Sequence, residues 1–148
     1  VMKESMRVAR TLAWNLTPDA RKQELLLHTD IINGIHIHCP EGSTPKDGPS
    51  AGTAITTTLW SLFNNKPIRH NVAITGEITL DGNVTEIGGL DLKFLGGIKA
   101  GVTEFLFPYE NKKDYDEFIK KYENDKLIED ITFTMVKTID EVFAILFC

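Results

Sequence analysis

Pro40-Glu41-Gly42-Ser43-Thr44-Pro45-Lys46-Asp47-Gly48-Pro49-Ser50-Ala51-Gly52 is a polar, glycine- and proline-rich loop that runs straight into a helical pattern. Downstream, Ala51, Ala54, Ile55, Leu59, Leu62 and Phe63 recur at three- and four-residue intervals, which predicts a helix with one buried face. Upstream, Ile35-His36-Ile37-His38-Cys39 alternates and predicts a strand. Pro49 suits a first helical position, so Ser50 is expected in the first turn. Free backbone N–H groups and the positive end of the helix dipole gather there, an environment suited to a developing oxyanion.

The rest of the chain continues the alternation. Met2, Met6, Ala9 and Ala13 predict an amphipathic N-terminal helix, Pro18-Asp19 breaks it, and residues 20–27 form a second short one. Asn64-Asn65-Lys66-Pro67 ends the long helix. Residues 72–75 and 77–80 read as strand, Asp81-Gly82 as a hairpin turn and 84–87 as the returning strand. A helix over about 90–100 stops at Gly101, in the position of a C-terminal cap. A strand over 104–107 ends at Pro108, and Tyr115, Phe118, Ile119 and Tyr122 mark another amphipathic helix. Residues 131–136 read as strand, and Thr138-Ile139-Asp140-Glu141 has capping-box form for a last helix. Hairpin and helical crossovers together predict a single α/β (α+β) domain over residues 1–148, with a mixed sheet and packed helices.

Composition narrows the function. The 148 residues are 42% hydrophobic and 25% charged, a globular balance, and the net charge of −5 argues against a nucleic-acid surface. No stretch approaches the roughly 18–20 apolar residues that span a bilayer, so no membrane partner is expected. Cys39 and Cys148 provide no disulfide framework and suit a reducing compartment; Cys39 reads as a buried thiol. The sequons Asn15-Leu16-Thr17 and Asn83-Val84-Thr85 are discounted, since the pattern is common by chance and no signal-peptide pattern accompanies them. The opening at Val1, directly into a charged helical pattern, reads as a domain taken from a longer polypeptide.

Ser50 has several readings. It is a polar residue near a helix start in the plainest one. A phosphate loop fails on the glycine interval and on the absence of Gly-Lys-Ser/Thr. Gly48-Pro49-Ser50-Ala51-Gly52 spells a nucleophile elbow, yet a ten-residue loop separates it from the strand. A nucleophilic serine needs a base. His36 and His38 share one strand face but lack further ligands for a metal, and His28 and His70 fall in polar segments. Lys93, in Gly88-Gly89-Leu90-Asp91-Leu92-Lys93-Phe94-Leu95-Gly96-Gly97, sits among apolar and small residues; burial would lower its pKa and make it a usable base, while a snorkelling helix lysine is the plain alternative.

Pro45-Lys46-Asp47-Gly48-Pro49-Ser50-Ala51-Gly52 resembles the block around the catalytic serine of Lon proteases. Three more blocks are similar and in the family's order: Ile35-His36-Ile37-His38 with Pro40-Glu41-Gly42, the run Thr75-Gly76-Glu77-Ile78-Thr79-Leu80-Asp81-Gly82-Asn83-Val84, and Gly88-Gly89-Leu90 with Lys93. Lys93 follows Ser50 by 43 residues, as the resemblance requires. The resemblance implies a Ser–Lys dyad: Ser50 as nucleophile and Lys93 as base, Thr75 orienting the lysine, and Asp47 and Glu77 as supporting acidic groups. Backbone N–H groups at Ser50 and Gly48 would form the oxyanion hole. It implies no metal and no cofactor in this domain, with ATP and magnesium belonging to a separate ATPase module, and a domain lacking its first strands. Its partners would be unfolded polypeptides and further copies in a ring, a hexamer, inside the cell in cytoplasm or mitochondrial matrix. Two departures stand out: Leu92 where a charged residue is usual, and Gly96-Gly97 where small alanine-like residues follow the lysine, which predicts a looser helix. Residues 21–33 also resemble the family poorly. The competing functions are a catalytically silent Lon-like assembly or binding domain, and a Ser–His hydrolase using His36 or His38.

Overall fold

Glu104-Phe105-Leu106-Phe107-Pro108 is too short for a helix and apolar on both sides, and it forms the central strand of the domain. The computed structural model describes residues 1–27, 35–38 and 48–147. In chain order these hold α1 (Met2–Asn15), α2 (Asp19–Leu27), α3 (Gly52–Asn64), β1 (Val72–Ile74), β2 (Glu77–Ile78) and β3 (Val84–Thr85). They continue with α4 (Leu90–Lys99), β4 (Glu104–Pro108), α5 (Lys112–Tyr122), β5 (Thr132–Val136) and α6 (Ile139–Leu146). A three-stranded sheet runs β1-β4-β5 with both pairs parallel, and β2-β3 is a separate antiparallel ribbon. Parallel strands need crossovers. The ribbon and α4 link β1 to β4, and α5 links β4 to β5. The domain is α/β with both kinds of pairing, as the alternation in the sequence requires.

Alternation along β4 divides the core. Phe105 and Phe107 face Leu90 and Phe94 of α4 and Phe118 of α5. Leu106 faces the other way, toward Leu12, Ile78, Val84, Val136 and Val142. A third cluster of Ala13, Leu25, Leu59 and Phe63 joins α1, α2 and α3.

The buried stripe of α3 differs from the predicted one. Leu62, expected inside, is 56% exposed, while Thr53, Thr56 and Thr57 are fully buried beside Leu59 and Phe63. Thr56 and Thr57 donate their hydroxyls to the carbonyls of Gly52 (2.8 Å) and Thr53 (2.9 Å), one turn back. With that proton satisfied they pack like small β-branched residues. The first helix is shifted likewise: Ser5, Ala9, Leu12 and Ala13 are buried, and Met2 and Met6 only half-buried.

The hairpin also departs in detail. The turn is the three residues Leu80-Asp81-Gly82, closed by Gly82 N–H to the Thr79 carbonyl (2.9 Å) and Thr79 N–H to the Asn83 carbonyl (3.0 Å). Gly82 takes φ +86°, the left-handed bulge position of such loops. The returning strand ends at Thr85 rather than 87 because side chains capture the next backbone groups. Asn111 accepts from Ile87 N–H (3.0 Å) and donates to the Ile87 carbonyl (2.8 Å), and Glu110 accepts from Glu86 N–H (3.0 Å). Residues 35–38 carry no strand structure, although Ile35 and Ile37 are half-buried and His36 and His38 exposed, as the alternation implies; no described strand lies paired with them.

Helix ends follow the residues that signal them. Thr138 accepts from Glu141 N–H (3.4 Å), and the Glu141 carboxylate reaches back to Lys137 N–H (2.8 Å) instead of the cap residue itself. At the end of α4, Val102 N–H bonds the Gly97 carbonyl (2.9 Å) and Gly101 N–H the Ile98 carbonyl (3.0 Å), with Gly101 at φ +94°. This is the Schellman arrangement.

The Gly96-Gly97 pair is not a simple loosening. A Cβ at Gly97 would lie 2.6 Å from Phe105 Cε1, and the Phe105 ring is wedged between Phe94 and Phe133. Glycine lets α4 sit directly on that ring. Gly97→Ala gains at most about 1 kcal/mol of helix propensity but overpacks the site by about 1–3 kcal/mol. A lowered Tm is therefore expected, measurable by thermal melting.

Candidate active site

The turn before α3 is tied to the end of β1. Gly52 N–H bonds the Pro49 carbonyl (3.1 Å), so Ser50 lies in a tight turn two residues ahead of the regular helix, not in its first turn. The first-turn N–H of Thr53 is taken by the Gly76 carbonyl (3.1 Å), and Gly76 N–H returns a bond to the Ser50 carbonyl (2.9 Å). These reciprocal bonds fix the serine's backbone against the residues that follow β1. Two glycines permit the approach. A Cβ at Gly52 would sit 2.7 Å from Ile78 Cγ2, and one at Gly76 (φ +151°) would sit 2.5 Å from Val84 Cγ1.

Thr75 connects the two sides. Its N–H bonds the Leu106 carbonyl (3.0 Å), which anchors it to β4. Its hydroxyl donates to the Ser50 carbonyl (3.4 Å) and accepts from Lys93 Nζ (3.3 Å). Lys93 is brought there by α4, whose neighbouring Phe94 is buried among Phe105, Phe107, Phe118 and Phe133. Burial penalises the ammonium and holds the Lys93 pKa below the ordinary lysine value.

Ser50, Thr75 and Lys93 thus line one cleft of about 380 Å³ between the start of α3 and α4. Its floor is Ala73 and Phe105 of the parallel sheet. Three polar residues line a mostly apolar concavity, the common form of a small binding or reaction site. A half-buried hydroxyl and a desolvated amine in one apolar cleft can perform nucleophilic chemistry with a base that is neutral more often than a surface lysine.

The other candidates fall elsewhere. Glu77 is half-buried at the start of β2, paired with Thr85, and does not line this cleft. Gly48 is described with φ +121°; Asp47, Cys39, Cys148 and His28 lie outside the described residues. His36 and His38 are exposed, their rings 6.2 Å apart, and neither lines the cleft; His70 is exposed too. Among the described residues no group of three or more His, Cys, Asp or Glu is placed to hold a metal. No helix among them is long and apolar enough to cross a membrane. Sequence reading missed Gly76, whose N–H holds the Ser50 carbonyl. Its only local signal was a glycine directly after a strand.

The chain matches the family model of the Lon protease (S16) C-terminal proteolytic domain over residues 1–148. It is 43% identical over 147 residues to the Lon protease of Escherichia coli, covering 98% of this chain and 18% of that protein. It is 43% identical over 145 residues to the Lon protease of Flavobacterium johnsoniae, covering 98% of this chain and 17% of that protein. With a mitochondrial Lon protease homolog of Phaeodactylum tricornutum the identity is 41% over 147 residues, 99% of this chain and 16% of that protein. The chain therefore spans less than a fifth of the length of these relatives. A profile matched from end to end, and relatives at this identity across nearly every residue, establish that the chain belongs to the Lon protease family as its C-terminal proteolytic domain, a serine-peptidase domain.

Proposed function

We propose that this domain is a serine endopeptidase acting through a Ser50–Lys93 dyad. The observation that supports it best is the shared cleft, in which the Lys93 amine rests on the Thr75 hydroxyl and is lowered in pKa by burial. Ser50 Oγ attacks the scissile carbonyl carbon as Lys93 Nζ takes its proton. The tetrahedral oxyanion is held by backbone N–H groups at Ser50 and Gly48. Lys93 then protonates the leaving amine, and an ester to Ser50 remains. A water, deprotonated by Lys93, attacks that ester and frees the new carboxyl end and Ser50. Thr75 orients the amine throughout, and Asp47 serves as a supporting acidic group, while Glu77 lies outside the cleft.

In the longer protein the domain works with an ATPase module, which uses ATP and magnesium, inside a ring of copies, a hexamer, that receives unfolded polypeptides. Its setting is intracellular, in keeping with relatives named as bacterial and mitochondrial Lon proteases.

A fluorophosphonate serine probe together with an unstructured protein, casein, tests this reading. One phosphonyl group per chain on the peptide carrying Ser50, with fragmentation of casein, is the expected result. Intact casein and a label elsewhere would overturn it. The labelling rate should rise with pH and level off below the ordinary lysine value, because the neutral amine is the active form and burial favours it.

Thr75→Val removes the hydroxyl that holds the lysine. A displaced base lowers kcat by about 10–100-fold with KM little changed. Thr75→Ser, which keeps the hydroxyl, restores most of it. An equal loss in Thr75→Ser would mean that the methyl packing matters instead.

A further inference from the structure

One chemical group enters the cleft from the turn just ahead of α3 and the other from α4, and each is followed three or four residues later by a residue with little or no side chain. Ala54 lies four residues after Ser50, and Gly96 and Gly97 lie three and four residues after Lys93. On α4 those spacings share a helix face, and Ala54 lines the same cleft from α3. The space beside the serine and the lysine is thus bounded by a methyl group on one wall and bare backbone on the other, above Phe105. At about 380 Å³ it has room for one large side chain, not for an extended peptide.

The two glycines differ. Gly97 is filled from below by the Phe105 ring, so its bareness serves packing. A Cβ at Gly96 would meet nothing within 4 Å, and Gly96 is exposed, lines the cleft and has no positive φ. Neither packing nor backbone conformation calls for glycine there, and glycine weakens a helix interior. What its missing side chain leaves is open volume next to Lys93.

We propose that Gly96 is a specificity-determining residue, whose lack of a side chain keeps the cleft wide enough for a bulky apolar residue of the substrate next to the scissile bond. This rests on the peptidase reading above. Gly96 takes no part in the bond-making steps. A side chain added there narrows the cleft from the α4 wall, excludes large residues and leaves small ones seated. In hydrophobic pockets a change of one methylene shifts discrimination by about 10–200-fold.

Two peptides with a chromogenic leaving group, one with phenylalanine and one with alanine on the acyl side of the scissile bond, are compared with wild type, Gly96→Ala and Gly96→Leu. The ratio of kcat/KM for the phenylalanine peptide over the alanine peptide should fall stepwise, by about tenfold or more for Gly96→Leu. Thermal melting controls for folding: Gly96→Ala should melt no lower than wild type, because the helix gains alanine and nothing is displaced. An unchanged ratio in both variants, with peptides still cut, overturns the role of Gly96 and leaves the peptidase reading intact. Wild type that cuts neither peptide and takes up no phosphonate at Ser50 overturns both.

Discussion

Lys93→Met is expected to fold and to be inert. Peptide hydrolysis and phosphonate labelling should drop by about 10³–10⁶-fold, the range seen when a member of a nucleophile–base unit is removed. Ser50→Ala should match it, and the double variant should lose little more, since the pair acts as one unit. Lys93→Arg should fail as well, because a guanidinium stays protonated at any working pH. Stability separates this loss from unfolding. In the folded domain the Lys93 pKa is lowered by burial, and in the unfolded chain it returns to the ordinary value. The unfolded state thus binds the proton more tightly. The stability cost is fully present below the folded pKa and is relieved as pH rises toward the ordinary lysine value. Methionine carries no such cost, so Lys93→Met should melt at or above the wild-type temperature at neutral pH. A well-folded Lys93→Met that still cleaves casein at the wild-type rate would end the dyad proposal.

Phe94→Ala should produce the largest loss of stability. The Phe94 ring is 1% exposed and meets Phe105, Phe107, Phe118 and Phe133 at centroid distances of 4.9–5.2 Å, mostly edge-on. It is the contact by which α4 sits on the parallel sheet. Truncating a buried phenylalanine costs about 3–5 kcal/mol, a large share of the roughly 5–15 kcal/mol of a typical domain. For a chain of this size that corresponds to a fall in Tm of about 10 °C or more. Activity should fall further than the folded fraction predicts, because the neighbouring Lys93 loses its fixed approach to Thr75. A Tm within about 2 °C of wild type would show that the aromatic cluster is not what holds α4.

The elements that were legible in the sequence are those whose signals are local. The cap at Thr138, the glycine stop at Gly101 and the short strand ended by Pro108 each depend on a few neighbouring residues, and each formed within a residue or two of its expected place. The returning strand after Gly82 was overrun because Asn111, far along the chain, takes the Ile87 backbone. The buried face of α3 was misread because threonine looks polar in isolation, yet its hydroxyl can be satisfied by the helix's own carbonyls.

The same division runs through the site. By itself the sequence determined most of the elements, their order and Ser50 just ahead of a helix, which follow from spacing and residue type, while the family came from the resemblance of whole motif blocks. Only the tertiary structure decided that Lys93 and Ser50 share a cleft, that Thr75 spans them, that Glu77 lies off to the side, and that Gly97 is seated on a phenylalanine ring while Gly96 faces open space. A lysine's pKa and a glycine's purpose depend on which atoms from distant segments surround them, and that is set by packing rather than by neighbours in the chain.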